Sequence, residues 1–140
     1  MAEDFALHPL LIKDTVALID WPLCRVTLMN DAHYPWLVLV PRRPGLRDLD
    51  EVADADRGQL GAEVTLASRI LKKLTGAEKM NVAALGNVCP QLHIHVIARF
   101  AEDAAWPKPV WGVVPGQPYP PEALAERVAS LARALTPPGR

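Results

Sequence analysis

Along the chain the spacing of apolar residues changes period several times, and each change marks an element. Residues 15–20 and 23–30 carry β-branched and apolar side chains on either side of Pro22, the pattern of two strand pieces broken by a turn. Residues 36–40 predict a third strand. Asn30, Asp31, His33 and Pro35 supply turn chemistry between the second and third pieces, which predicts an antiparallel hairpin with a long loop. From residue 54 the period lengthens: Leu60, Val64, Ala67, Leu71 and Leu74 recur at steps of three and four and share one face of a helix over 54–74. Asp54 or Asp56 is expected to cap its start and Gly76 its end. Residues 80–84 and 92–100 return to strand spacing. A last helix over 121–135 opens on Pro121, where proline fits the first turn, and aligns Ala123, Leu124, Val128, Leu131 and Leu135. Hairpin strands, one long central helix, further strands and a C-terminal helix predict an α+β fold on an antiparallel sheet.

Composition narrows the class. A chain of 140 residues suits one core, so 1–140 is read as a single domain. Half of the residues are hydrophobic, which excludes a disordered chain. Fifteen basic residues against sixteen acidic ones leave no positive field to hold a polyanion, so nucleic acid is not expected as a partner. Residues 36–40, the best apolar run, are closed by Pro35 and Pro41 and are far shorter than the ~18 residues a membrane helix needs. The acidic start lacks the pattern of a secretory signal, so the expected location is cytoplasmic, with Cys24 and Cys89 as reduced thiols. Six of the fourteen prolines fall within 106–121, which predicts an extended loop laid over the surface.

The chemistry concentrates in 91–100. Leu92, Ile94, Val96, Ala98 and Phe100 alternate with Gln91, His93, His95 and Arg99, and only Ile97 breaks the order. On a strand this sets two imidazoles and an amide in one polar row. A half-exposed strand with a merely polar outer face fits the same alternation, although two of the four histidines lie within three residues. The preceding stretch, 81–90, carries Asn81, Gly86, Asn87 and Pro90. A glycine there lets backbone amides approach an anion, and Asn87 adds side-chain donors.

The run 81–95 resembles the signature of the histidine triad (HIT) family of nucleotide hydrolases and transferases. The likeness covers most of the chain: Leu28, Met29 and Asn30, a turn, and residues 36–41 resemble the family's first hairpin, and the long helix follows where the family has one. The resemblance implies that His93 is the nucleophile and His95 the third histidine of the triad. By the same likeness Asn87 contacts phosphate, Asn81 supports the site and Asn30 grips the ribose. Gln91 stands where the first histidine is expected; it can hydrogen-bond but cannot take a proton. The implied reaction is displacement at the α-phosphate of a nucleoside phosphate, either a dinucleoside polyphosphate or a phosphoramidate, through a nucleotidyl-histidine. It calls for no metal and no cofactor, and the family implies a homodimer. Two alternatives stand beside it. One is a metal-binding protein using His93 and His95, for which His8, His33, Cys24 and Cys89 show no diagnostic spacing. The other is a non-catalytic nucleotide-binding protein in which Gln91 marks lost turnover. Trp21 and Trp36 are read as packing aromatics, Trp106 and Trp111 as anchors of the proline-rich loop for which the resemblance also leaves open a place beside the pocket, and Arg42, Arg43, Lys72 and Lys73 as solvated charge.

Overall fold

The computed structural model describes residues 4–137. Five strands, β1 (Thr15–Asp20), β2 (Cys24–Met29), β3 (Trp36–Pro41), β4 (Lys79–Ala83) and β5 (Ile94–Arg99), form one sheet in the order β1-β2-β3-β5-β4. All neighbouring strands are antiparallel. Three helices accompany it: α1 (Pro9–Asp14), α2 (Asp54–Thr75) and α3 (Pro121–Leu135). The expected α+β fold, the long helix and the C-terminal helix are present, and α1 is an addition that the apolar spacing does not predict.

β3 shows how the sheet is covered. Leu37 and Leu39 face a core shared with α2 and α3, where Leu71, Ile94, Val96 and Leu131 meet, while Trp36, Val38 and Val40 face a second core. That second core is closed by the leader, through Leu11, and by the segment after β5, through Ala105 and Val110. Both faces of the sheet are therefore buried at its centre, and every residue of β3 and β5 is buried. This corrects the half-exposed reading of the polar row: His93, His95 and Arg99 are 6%, 5% and 1% exposed.

β5 also starts later than its alternation predicts. The last β3–β5 pair is Leu39 with Ile94, and the Leu92 amide turns away to donate to the Leu46 carbonyl at 2.9 Å. Gln91 thus sits before the strand and outside its ladder. At the start of α2 the cap is Ala53, not Asp54 or Asp56; the two acids occupy the first turn, where they face the positive end of the helix dipole. Arg43, expected in solvent, grips Asp56 with two hydrogen bonds of 2.9 and 3.1 Å. Gly76 ends α2 in the left-handed region at φ 71°, as expected.

A buried carboxylate on α2 breaks the apolar stripe. Glu63 accepts from the backbone amides of Leu23 and Cys24 at 2.9 and 2.8 Å and from Gln59 Nε2 at 2.6 Å, so helix and β1–β2 turn are joined by bonds that leave neither carboxylate oxygen unpaired. On the opposite face Arg99 does similar work for the covering segment. Its guanidinium holds Asp103 at 2.8 and 3.1 Å, Asn81 Oδ1 at 2.7 Å and the Lys108 carbonyl at 2.7 Å. Burial pushes the Asp103 carboxyl up, but Arg99 and the amides of Phe100, Ala105 and Trp106 outweigh it and hold it down at about 2.

Candidate active site

His93 and His95 stand side by side, ring centroids 4.8 Å apart and nearly perpendicular. Each has one nitrogen already committed, and the two commitments are opposite. His93 Nδ1 lies 2.6 Å from the backbone carbonyl of Gln91. A carbonyl only accepts, so Nδ1 carries the proton and the lone pair of neutral His93 is on Nε2. His95 Nδ1 lies 3.0 Å from Trp36 Nε1. An indole N–H only donates, so Nδ1 of His95 accepts and its proton is on Nε2. The pair therefore sets a nitrogen with a free lone pair beside a nitrogen that donates. Burial, reinforced by neighbouring His93, pushes the His95 imidazole down to about 4, so the donor is a neutral imidazole at ordinary pH.

A cavity of about 410 Å³ opens above the two rings. Leu10, Leu11 and Asp14 of α1 form one wall, Trp36 and Trp111 another, and 85–89 a third. Gly86 turns this third wall at φ 76°, a conformation that favours glycine, and a Cβ there would press on the Cys89 carbonyl oxygen at 3.3 Å. Asn87 lines the same cavity. Cys89 lies beside it with its thiol pushed up by burial, which removes a competing nucleophile. On the other side of the Gly86 loop, His93 also lines a second cavity of about 390 Å³ with Arg47, Asp48 and Asp50.

The remaining expected residues are placed differently. Gln91 is not in the row: its side chain turns to the leader, where Oε1 accepts from the His8 amide at 2.8 Å and Nε2 donates to the Ala6 carbonyl at 2.9 Å. Asn81 pairs with Ile97 across the β4–β5 ladder and gives its amide oxygen to Arg99, so it braces the covering segment rather than the cavity. Asn30 Oδ1 accepts from the Tyr119 amide at 2.9 Å, and the Asn30 amide donates to the Asp14 carbonyl at 2.9 Å. It joins the proline-rich loop to the end of α1, at the margin of the cavity.

Two contributors escape sequence reasoning, and a third, Trp111, was left open by the resemblance. Trp36 reads as a packing aromatic, and nothing local reveals that its indole meets a histidine 59 residues away. Trp111 stands edge-on to His95 at 5.0 Å and to Trp36 at 5.8 Å. Two tryptophans in a proline-rich stretch were the available signal for it. The α1 wall had none. For the metal alternative, both Nδ1 atoms are engaged, and among the described residues no group of three or more His, Cys, Asp or Glu is disposed to hold an ion.

Comparison with known proteins bears on the same residues. The HIT domain model matches residues 12–102. A histidine triad protein from Marinobacter aquaeolei VT8 is 46% identical, with a TM-score of 0.90 over 94% of this chain and 96% of that one. A histidine triad protein from Bradyrhizobium japonicum is 42% identical, with a TM-score of 0.91 over 94% and 98% of the two chains. One from Sinorhizobium meliloti 1021 is likewise 42% identical, with a TM-score of 0.90 and the same coverage. No curated protein sequence matches the chain.

Proposed function

This chain belongs to the HIT domain family, and from that premise we propose that it is a nucleotide hydrolase or nucleotidyl transferase acting at the α-phosphate of a nucleoside phosphate. The observation that carries the reading is the opposed tautomers: Nε2 of His93 offers a lone pair beside the Nε2–H of His95. In the first step the His93 lone pair forms a bond to phosphorus, and the bond from phosphorus to the leaving group breaks. The leaving group departs with its electron pair and takes a proton from the solvent, which the attacking water of the second step returns. In the second step water, or another acceptor, attacks phosphorus, loses its proton and frees His93 with the nucleoside phosphate. His95 Nε2–H, the Asn87 amide and the backbone around Gly86 donate to the phosphoryl oxygens as negative charge grows there. Asn30 is assigned to the ribose through its amide nitrogen.

Trapping the intermediate tests this directly. Denaturation without acid during turnover of adenosine 5'-phosphoramidate should leave AMP on His93, as an acid-labile, base-stable adduct seen by mass spectrometry. His93→Ala should keep its fold and lose at least about a thousandfold in kcat, the scale expected when a nucleophile is removed. An active His93→Ala enzyme would overturn the assignment. Activity should also survive EDTA, because hydrogen bonds neutralise the phosphate; complete loss would favour the metal alternative.

A homodimer is proposed with it. β4 is an edge strand whose Val82 is 49% exposed, and a groove of about 840 Å³ runs between it and α2, lined by Leu49, Val52, Leu60, Val64 and Ile94. A free strand edge beside apolar surface is what a second copy of the chain can cover, extending the sheet across the contact.

A further inference from the structure

We propose that Gln91 is a positioning residue: its amide fastens the leader at residues 6–8 so that α1 stands as a fixed wall of the cavity over His93 and His95. The two hydrogen bonds reach across more than eighty residues of sequence, from a side chain beside the nucleophile to the Ala6 carbonyl and the His8 amide. His8 is the residue that starts α1. Its ring Nδ1 accepts from the Leu10 amide at 3.0 Å, and its carbonyl accepts from Leu11 and Ile12 at 2.9 and 3.0 Å. A six-residue helix cannot hold itself together in water, so its place depends on what its ends are tied to. Phe5, Leu7 and Leu11 pack on the second core, but apolar contact is non-directional and permits sliding. The Gln91 amide supplies direction.

The chemistry of the side chain explains why glutamine serves here. A primary amide presents its oxygen and its N–H side by side, so one planar group can accept and donate toward the same stretch of backbone. An imidazole carries donor and acceptor on opposite edges of a ring and cannot grip one segment twice. The nucleophile does not suffer by the exchange. His93 hangs on the backbone carbonyl of residue 91, which any amino acid provides. Side chain and main chain of one residue thus serve two ends: the amide holds the wall, and the carbonyl sets the tautomer. Leu10, Leu11 and Asp14 then face the substrate from a defined distance, which makes the leader part of what the site selects.

The kinetic side of this proposal rests on the nucleotide reading; its exchange side does not. In Gln91→Ala, hydrogen exchange at the His8 amide should quicken by about tenfold or more, followed by Leu11 and Ile12, while amides of β5 stay protected. AMP should bind several-fold more weakly, and with adenosine 5'-phosphoramidate the loss should fall mainly on KM. Nitrogen-15 spectra should still show His93 protonated on Nδ1. Gln91→Glu, which keeps the acceptor and loses the donor, should exchange at an intermediate rate. Unchanged His8 exchange in Gln91→Ala overturns the proposal. So does a lost His93 tautomer with the leader still protected, since Gln91 would then serve the imidazole. If the wild type turns over no nucleotide, the functional reading fails and the exchange rates still decide the clasp.

Discussion

Two nitrogens decide what the histidine pair can do, and neither is decided by the histidines themselves. The Gln91 carbonyl fixes one and the Trp36 indole the other. Trp36→Phe keeps an aromatic ring and removes the donor together with part of the buried indole. Losing one buried hydrogen bond of this kind costs about 1 kcal/mol, or several-fold in rate if it is felt in the transition state. The expected result is a several-fold drop in kcat/KM, mixed His95 tautomers in nitrogen-15 spectra, and a His95 pKa that climbs from about 4. His95 also links the site to stability. Unfolded, it takes a proton near 6.5; folded, not until about 4. Between those values the unfolded chain holds the extra proton, so stability rises with pH across the window and levels off above it. The urea midpoint of the wild type should therefore fall from pH 6.5 toward pH 4.5, and His95→Gln should flatten that slope. At this scale the sequence was informative about which residues the fold brings together, since His93, His95, Gly86 and Asn87 line one cavity. It was silent about their protonation, because the groups that set it are a main-chain carbonyl and a tryptophan from another strand.

Among the elements, alternation and helical period were enough to locate five strands and two of the three helices, since each signal is local. What covers an element is not local. The polar side of β5 reads as an outer face, yet the leader and the segment after Phe100 lie over it. Arg99 is the residue that makes this covering possible, because a buried guanidinium needs acceptors and those lie on Asp103, Asn81 and Lys108. Asp103→Ala would strand that charge beneath the segment, at a cost of about 3–5 kcal/mol in unfolding free energy. Replacing both partners, Arg99→Met with Asp103→Leu, should cost less than the single change, because no uncompensated charge remains. Urea denaturation of the two variants distinguishes them; a double variant less stable than Asp103→Ala would show that the bonds from Arg99 to Asn81 and Lys108 carry more weight than the ion pair.

For the molecule as a whole, β4 forms one edge of the sheet, and the cavity lies on the other side of the sheet from α2. Light scattering at micromolar concentration should give about twice 15.3 kDa. Val82→Lys places a charge on the exposed β4 edge, the usual device against strand pairing, and should shift the population toward monomer without altering the His93 and His95 tautomers. A wild type that stays monomeric at that concentration would remove the dimer from the reading. Among the described residues no helix is long and apolar enough to cross a membrane.

The aromatic surroundings of His95 give the protein a built-in optical gauge. Trp36 and Trp111 have their rings 5.6 and 5.0 Å from the imidazole, whereas Trp21 lies in the core on the far side of the sheet, bonded to the end of α3. An imidazolium accepts an electron from an excited indole far more readily than a neutral imidazole does. Light emitted by the two neighbouring tryptophans is thus sensitive to the charge on His95. As acid protonates His95, the indole N–H loses its acceptor and the emission dims together with it, so the state of the candidate catalytic donor can be followed through unmodified protein in an ordinary fluorimeter.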